Sequence, residues 1–471
     1  MRIAVIGGGI TGLALTHRLL ELKKQSKKNF EINLLEAAPR LGGIIESRSC
    51  DGFLLESGPD SFISEKPWAL DLARRLGLSS EVIGTRRENR RSFVLRQGKL
   101  LAVPEGFYLI SPTRLRPFLE SPVFSLSGKL RILAEALLPR RAGENDETVG
   151  SFVRRRFGRE AFDRVGQAML GGIYTGDPDK LSLSATMPRF RELEKKYGSL
   201  IRGLAAEKAG PARRHVDEAS GPRYSLFVSL RRGMEDLVKA LAGQIPPDDV
   251  KLNFRVKEIS YDIRTSQWRV LSQSGQMRVF DKVCLTLPAR HAAALLRNNV
   301  QRLSFKLSQI RYESVLTVNL AYKREQIPHP LDGFGFVTPK IENRPTIACT
   351  FCDRKFEGRA PQGFSLLRAF VGGAFGKKFF EKTDEEITKR VTTDLKELLG
   401  VKGEPLFLVL KRYPDSMVQY GLGHPDWVSE IRKIIPKNLG LYLAGSAYSG
   451  VGIPDCVRDA EAEAGEIFKS L

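Results

Sequence analysis

Three glycines mark the first place where residue type and spacing could do chemistry. Gly7-Gly8-Gly9-Ile10-Thr11-Gly12 carries G-x-G-x-x-G at 7, 9 and 12. Gly7 permits a tight turn, Gly9 lets a ligand phosphate reach the backbone, and Gly12 lets a helix pack closely on a strand. Ile10 and Thr11 then fall in the first helical turn, where free N–H groups and the helix dipole favour an anion. Glu36 stands 24 residues after Gly12. An acid at about that distance accepts hydrogen bonds from a ribose. Together these residues predict a dinucleotide-binding site, with an ordinary glycine turn as the bland alternative.

The other reactive residue types are thinly spread. The histidines are His17, His215, His291, His329 and His424, and none stands in a metal-ligand or nucleophile motif. Cys349-Thr350-Phe351-Cys352 is a lone C-x-x-C in an apparent strand, with no second pair to complete a zinc site. No metal site is expected, and His17, within the first helix, reads as structural.

Those glycines need a strand before them and a helix after them. Arg2 to Ile6 reads as a strand, Thr11 to Leu22 as a helix and Phe30 to Leu35 as a second strand with Phe30, Ile32 and Leu34 on one face. Further along, Val250 to Leu287 alternates like antiparallel strands, and Val315 to Tyr322 and Phe364 to Phe370 read as a second sheet. Asp384 to Leu399 and Pro454 to Phe468 read as helices, and Leu441 to Gly445 as a strand. Thr148 to Lys196 reads as helices around a Gly-rich centre, and Gly203 to Gly221 as an exposed excursion.

The chain has 471 residues, which at roughly 150 per domain suggests about three domains. Apolar content of 42% and charged content of 27% exclude wholesale disorder. Five cysteines do not make a disulfide framework, so a reducing compartment is expected. No leader precedes the first strand and no apolar run reaches spanning length, so the expected location is the cytoplasm. The formal charge of +21 favours anionic partners. Arg86 to Arg141 holds twelve basic and four acidic residues, interleaved with Phe107-Tyr108-Leu109-Ile110, Phe118-Leu119 and Leu130 to Leu133. Short basic amphipathic helices and contact with an anionic membrane surface are expected there. No nucleic-acid module is recognisable.

Longer stretches carry a family resemblance. Glu36 followed by Arg40-Leu41-Gly42-Gly43 resembles the flavoprotein superfamily of amine oxidases, phytoene desaturases and porphyrinogen oxidases. Glu56-Ser57-Gly58-Pro59-Asp60-Ser61, Gly171-Gly172-Ile173-Tyr174-Thr175-Gly176-Asp177-Pro178, Leu230-Arg231-Arg232-Gly233-Met234 and Gly445-Ser446-Ala447-Tyr448-Ser449-Gly450-Val451-Gly452-Ile453-Pro454 resemble porphyrinogen oxidases in sequence and in order. The resemblance covers essentially the whole chain.

It implies an α/β fold: a Rossmann-like FAD-binding domain, a mixed-sheet substrate domain and an inserted helical domain that meets a membrane. The expected segments are 1–85, 206–294 and 426–471 for the FAD domain, 86–104 and 295–425 for the substrate domain, and 105–205 for the helical domain. It implies non-covalent FAD, held by Gly7, Gly9, Ile10, Thr11, Gly12, Glu36, Arg40, Gly42, Gly43, Gly58, Pro59, Asp60, Ser61, Val256, Gly445, Val451, Gly452 and Ile453. Cys456 lies beside this loop, but its surroundings do not resemble a covalently flavinylated motif. Arg40 would put a permanent charge near phosphate, and the helix from Pro454 would point its positive end at the flavin's pyrimidine edge.

The implied reaction oxidises a porphyrinogen to a porphyrin in three two-electron steps in haem biosynthesis. Hydride would pass to flavin N5, and molecular oxygen would be reduced to hydrogen peroxide. No catalytic side chain is implied, because the cofactor carries the chemistry. Arg91 or Arg96 is expected to meet a substrate carboxylate, with Gly172, Ile173 and Tyr174 also at the substrate. Ser92-Phe93-Val94-Leu95 leans toward coproporphyrinogen III over protoporphyrinogen IX. An amine oxidase or carotenoid desaturase, and a non-enzymatic basic surface protein, are the alternatives; self-association is left open.

Overall fold

A computed structural model describes residues 1–108, 110–209 and 226–471. The first sheet is built from β1 (Arg2–Ile6), β2 (Glu31–Leu35), β3 (Val250–Lys251), β4 (Lys282–Leu285) and β5 (Leu441–Leu443). All of its pairings are parallel, and its order is β3-β2-β1-β4-β5. Such a sheet must be covered on both faces, which explains its near-continuous apolar strands. α1 (Ile10–Lys24) and the C-terminal helix Ile453–Lys469 pack together on one side, with Leu13, Leu15, Val457 and Ala460 fully buried between helices and sheet. Phe30, Ile32 and Leu34 are buried, as their alternation predicts.

A second sheet has seven strands in the order Phe407–Gln419, Arg311–Lys323, Phe364–Gly372, Thr346–Phe351, Gly335–Val337, Phe93–Arg96, Lys99–Ala102. It is mixed: one pairing, Phe336 with Phe93, is parallel and the rest are antiparallel. Helix Asp384–Leu399 backs it, opened by a Thr383–Glu386 capping box and closed by Gly400 at φ +69°. That signature made its bounds readable from sequence.

Between the sheets' first and later strands lies a helical insertion. It includes α2 (Leu115–Glu120), α3 (Leu126–Leu133) and α4 (Gln167–Tyr174). A fully buried ion pair holds it together: Arg156 Nε donates to Glu135 at 2.8 Å. The Glu135 carboxylate also accepts from the Ser199 hydroxyl at 2.6 Å and from the N–H groups of Leu200 and Ile201. It thus caps helix Leu200–Ala209, at the end where a negative charge is favoured.

Three expectations here are corrected. Of the strands in Val250 to Leu287, those within 256–280 are antiparallel, but Val250–Lys251 and Lys282–Leu285 join the parallel sheet, the first at its edge beside β2 and the second buried beside β1. Phe107–Tyr108 pairs with Ser111–Pro112 as a hairpin rather than a helix, because Gly106 turns at φ +74° and Pro104 and Pro112 flank it. Leu109 lies outside the described residues. Residues 203–209 are helical rather than an excursion, with Leu204 buried; residues 210–221 lie outside the described residues.

Candidate functional site

The glycine loop between β1 and α1 has an unequal set of demands. A Cβ on Gly12 would sit 1.9 Å from the Gly7 carbonyl oxygen, so glycine there is a packing requirement. A Cβ on Gly9 would meet nothing within 4 Å. Gly9 is therefore small without any protein neighbour to require it, which leaves open the face that a phosphate would take. Gly9 is also the N-cap of α1, with no side-chain cap and no acid in the first turn. The N–H groups of Ile10, Thr11 and Gly12 there lack a capping side chain, which suits an anionic ligand.

Four other segments converge on this loop. Gly42, at φ +104°, bridges to Gly9 and donates its N–H to the Gly8 carbonyl at 2.8 Å. A Cβ on Gly43 would lie 3.3 Å from the Gly9 Cα. A Cβ on Gly58 would strike the Ile44 carbonyl at 1.8 Å, so the segment holding Pro59, Asp60 and Ser61 tucks beneath the second glycine turn. Thr11 and Cys456 hydrogen bond through their side chains, and Gly445, at φ +138°, approaches Thr11. Gly452 is the N-cap of the C-terminal helix; Val451 is half-buried beside it and Ile453 is buried. Val256 opens the strand after Phe254, whose N–H binds the Glu36 carbonyl at 2.8 Å.

The charged residues have partners of their own. Glu36 accepts from Gly8 N–H at 2.6 Å and from Ala38 N–H at 2.7 Å, which fixes its carboxylate at the end of β2. Arg40 donates to the carbonyls of Leu41, Gly43 and Ile45. It braces the glycine turn, where the sequence expected a charge offered to phosphate. In the C-terminal helix, Asp455 occupies the first turn and pairs with Lys66 at 2.6 Å. Burial would raise the Asp60 carboxyl, but Lys355 at 2.8 Å and Arg368 outweigh it and hold it well below the usual range.

Sequence reasoning missed the residues that hold these loops. Asp459 accepts from Gly445 N–H at 2.8 Å and the Ser449 hydroxyl at 2.8 Å, and pairs with Arg432 at 2.7 Å. Thr317, Asn319 and Arg368 of the seven-stranded sheet donate to the carbonyls of Glu56, Ser57 and Gly58. Each lies on a strand that alternation assigns to a core, so a buried polar residue on a strand was the available signal.

A cavity of about 280 Å³ lies between α4 and the end of the seven-stranded sheet, with Gly172, Thr338, Lys340, Ile347 and Phe375 on its wall. Of the residues expected at a substrate, Gly172 lines it. Ile173 is exposed, and the buried Tyr174 donates its hydroxyl to the Thr186 carbonyl at 2.9 Å. Arg91 pairs with Asp332 at 2.8 Å, and Arg96 donates to the carbonyls of Pro122 and Val123. Neither arginine is on the cavity wall.

The cysteine pair has no chemistry to offer. Cys349 and Cys352 are buried in separate apolar clusters. Burial pushes the Cys349 thiol well up and the Cys352 thiol up to about 12, so neither thiolate forms readily. Among the described residues no His, Cys, Asp or Glu cluster could hold a metal.

Comparison with known proteins agrees with this geometry. The family described as "Flavin containing amine oxidoreductase" matches residues 10–468. The chain is 33% identical to the coproporphyrinogen III oxidase of Bacillus subtilis, covering 100% of this chain and 98% of that one. It is 28% identical to the mitochondrial protoporphyrinogen oxidase of Nicotiana tabacum, covering 96% and 92%. A crystal structure from Exiguobacterium sp. 255-15, assigned as a protoporphyrinogen oxidase, superposes with a TM-score of 0.87 at 30% identity, covering 100% and 99%. An open glycine cradle at the uncapped, acid-free N-terminus of α1 fits the phosphates of FAD, and with the match spanning nearly its full length the chain belongs to the flavin containing amine oxidoreductase family, with FAD as its cofactor.

Proposed function

We propose that this protein oxidises a porphyrinogen to a porphyrin, with coproporphyrinogen III or protoporphyrinogen IX as substrate. The carrying observation is full-length similarity to coproporphyrinogen III oxidases, at 33% identity with the Bacillus subtilis enzyme. We read the cavity bordered by Gly172 as the place where the substrate would bind. Bound FAD supplies a two-electron acceptor, and molecular oxygen, giving hydrogen peroxide, is the proposed final acceptor.

The protein's own residues bind and orient. Gly9, Ile10 and Thr11 present backbone to the phosphates, and Glu36 stands where a ribose would be met. Asp459 and Arg432 hold the Gly445–Ser449 loop, and Thr317, Asn319 and Arg368 hold Glu56–Gly58. No His, Asp or Glu lines the cavity among the described residues. This suits a reaction driven toward aromaticity, in which pyrrole protons pass to solvent. The test is aerobic assay of the FAD-loaded protein with anaerobically prepared porphyrinogens, read by porphyrin fluorescence. Turnover of either supports the reading; FAD bound with no turnover of both overturns it.

The helical insertion is proposed to rest on an anionic membrane. Leu126, Leu130 and Leu137 are 74%, 61% and 82% exposed, and Leu115 and Leu119 are also exposed. Lys129 Nζ reaches the Leu119 carbonyl, so α2 and α3 form one patch of leucine and lysine. No helix among the described residues is long and apolar enough to cross a membrane.

A further inference from the structure

The cavity beside Gly172 is charged in a way that the rest of the site is not. Arg344, Lys340 and Lys378 all stand on its wall, and no Asp or Glu does among the described residues. Arg344 is already neutralised, pairing with Asp394 at 3.2 Å and with Glu397. The two lysines carry no ion pair among the described residues. Lys340 Nζ instead lies 4.3 Å from the centre of the Phe375 ring, and Lys378 Nζ 4.9 Å from that of Phe379. Asp179, a carboxylate that Lys340 helps to lower, is committed to Arg154 at 2.9 Å.

The wall also holds an unpartnered donor. Thr338 is 6% exposed, and its hydroxyl has no hydrogen-bond partner among the described residues. The position of the loop is fixed, because the Lys340 N–H donates to Gln167 Oε1 of α4 at 2.7 Å. Two unneutralised ammonium groups, a spare hydroxyl and flanking rings make a site for a carboxylate on an otherwise aromatic or apolar ligand.

We propose that Lys340 and Lys378 form a carboxylate-binding subsite that selects the tetracarboxylic porphyrinogen over the dicarboxylic one. The inference rests on the porphyrinogen oxidase reading above. A tetracarboxylic macrocycle carries a propionate on every pyrrole, so a carboxylate reaches the lysines whichever edge enters the cavity. A dicarboxylic macrocycle carries vinyl groups on the remaining pyrroles. An edge bearing vinyl would leave both ammonium groups partly desolvated without an anion, and that penalty is a source of selectivity. The carboxylate contact thereby moves from Arg91 and Arg96, which are engaged elsewhere, to the two lysines.

The test compares the FAD-loaded wild type with Lys340→Met, Lys378→Met, the double variant and the double Lys→Arg variant. Both lysines are exposed and Met keeps most of the stem, so the fold is preserved. The wild type should prefer coproporphyrinogen III. The double Met variant should lose about tenfold or more in kcat/KM for that substrate through KM, with a smaller loss for protoporphyrinogen IX, whose two propionates reach the lysines only from one edge. The Arg pair should restore the preference. Coproporphyrin III, titrated by quenching of protein fluorescence, should bind the double Met variant more weakly and with a shallower salt dependence. An unchanged substrate ratio, or equal losses on both substrates, would overturn the subsite while leaving the enzyme assignment standing. A wild type that holds FAD and turns over neither porphyrinogen would overturn both.

Discussion

At the scale of single residues, Gly9 and Gly12 separate binding from folding. A methyl on Gly12 collides with the Gly7 carbonyl, whereas one on Gly9 enters open space. Gly12→Ala is expected to destabilise the protein by about 3 kcal/mol or more. Gly9→Ala should cost less than about 1 kcal/mol in the FAD-free protein but weaken FAD binding about tenfold or more. Thermal unfolding of the apoprotein and FAD titration check the pair; equal behaviour of the two variants would contradict the assignment of the open face. Asp459 makes a second residue-level case. Its removal in Asp459→Ala strands the Gly445 N–H and the Ser449 hydroxyl and leaves the Arg432 guanidinium with Glu463 and the Leu443 carbonyl. A loss of about 1–3 kcal/mol is expected, together with loss of FAD on gel filtration. Asp459→Asn, which keeps two of the contacts, should fall between.

At the scale of elements, each motif depends on what its strand or helix packs against. Glu56 ends the strand Phe53–Glu56, and Ser57 and Gly58 continue it as irregular backbone. The Glu56–Gly58 segment is held because Thr317, Asn319 and Arg368 reach it from two neighbouring strands of the other sheet. The helical insertion shows the opposite behaviour, with a buried Arg156–Glu135 pair inside and bare leucines outside. If α2 and α3 rest on a membrane, Leu126→Ser with Leu130→Ser should abolish sedimentation with phosphatidylglycerol vesicles at low salt. The far-UV circular dichroism should be unchanged, since both side chains are already in water. Equal sedimentation of variant and wild type would count against the membrane contact.

At the scale of the whole molecule, a buried carboxyl links three segments distant in the chain. Glu56 accepts from the Ser47 hydroxyl at 2.7 Å and the Met234 N–H at 2.8 Å, close to Arg359. Burial raises its carboxyl from 4.5 to about 7, against the opposing pull of these partners. A carboxyl raised in the folded state binds its proton more tightly folded than unfolded. Its contribution to stability is therefore present below pH 4.5 and lost as pH rises through about 7. The loss is on the order of 3 kcal/mol. Glu56→Gln should remove this part of the pH dependence, so that the variant gains on the wild type from pH 5 to 8 in denaturant titrations. Parallel curves for the two proteins would show that Glu56 does not titrate in this range.

Much of this molecule is legible in its sequence. The G-x-G-x-x-G loop with its strand and helix, helix Asp384–Leu399 with both caps, and the C-terminal helix follow from short-range rules, which depend only on neighbours a few residues apart. The resemblance of Gly445 to Pro454 and of Gly171 to Pro178 to known motifs likewise needs no coordinates. The tertiary structure decided what those residues face. Strands from positions 2, 31, 250, 282 and 441 meet in one parallel sheet, a pairing that local periodicity cannot encode. Strand Phe407–Gln419 was not readable because it is half-buried and interrupted by Pro414 and by Asp415 at φ +43°. Arg91 and Arg96 had the right charge for a carboxylate, but folding gave them Asp332 and two carbonyls as partners. Lys340 and Lys378 are unremarkable in sequence and gained a cavity instead. The reason is physical: residue type sets what a side chain can bind, while long-range packing sets which of its candidate partners is within reach and which of its charges stays unpaired.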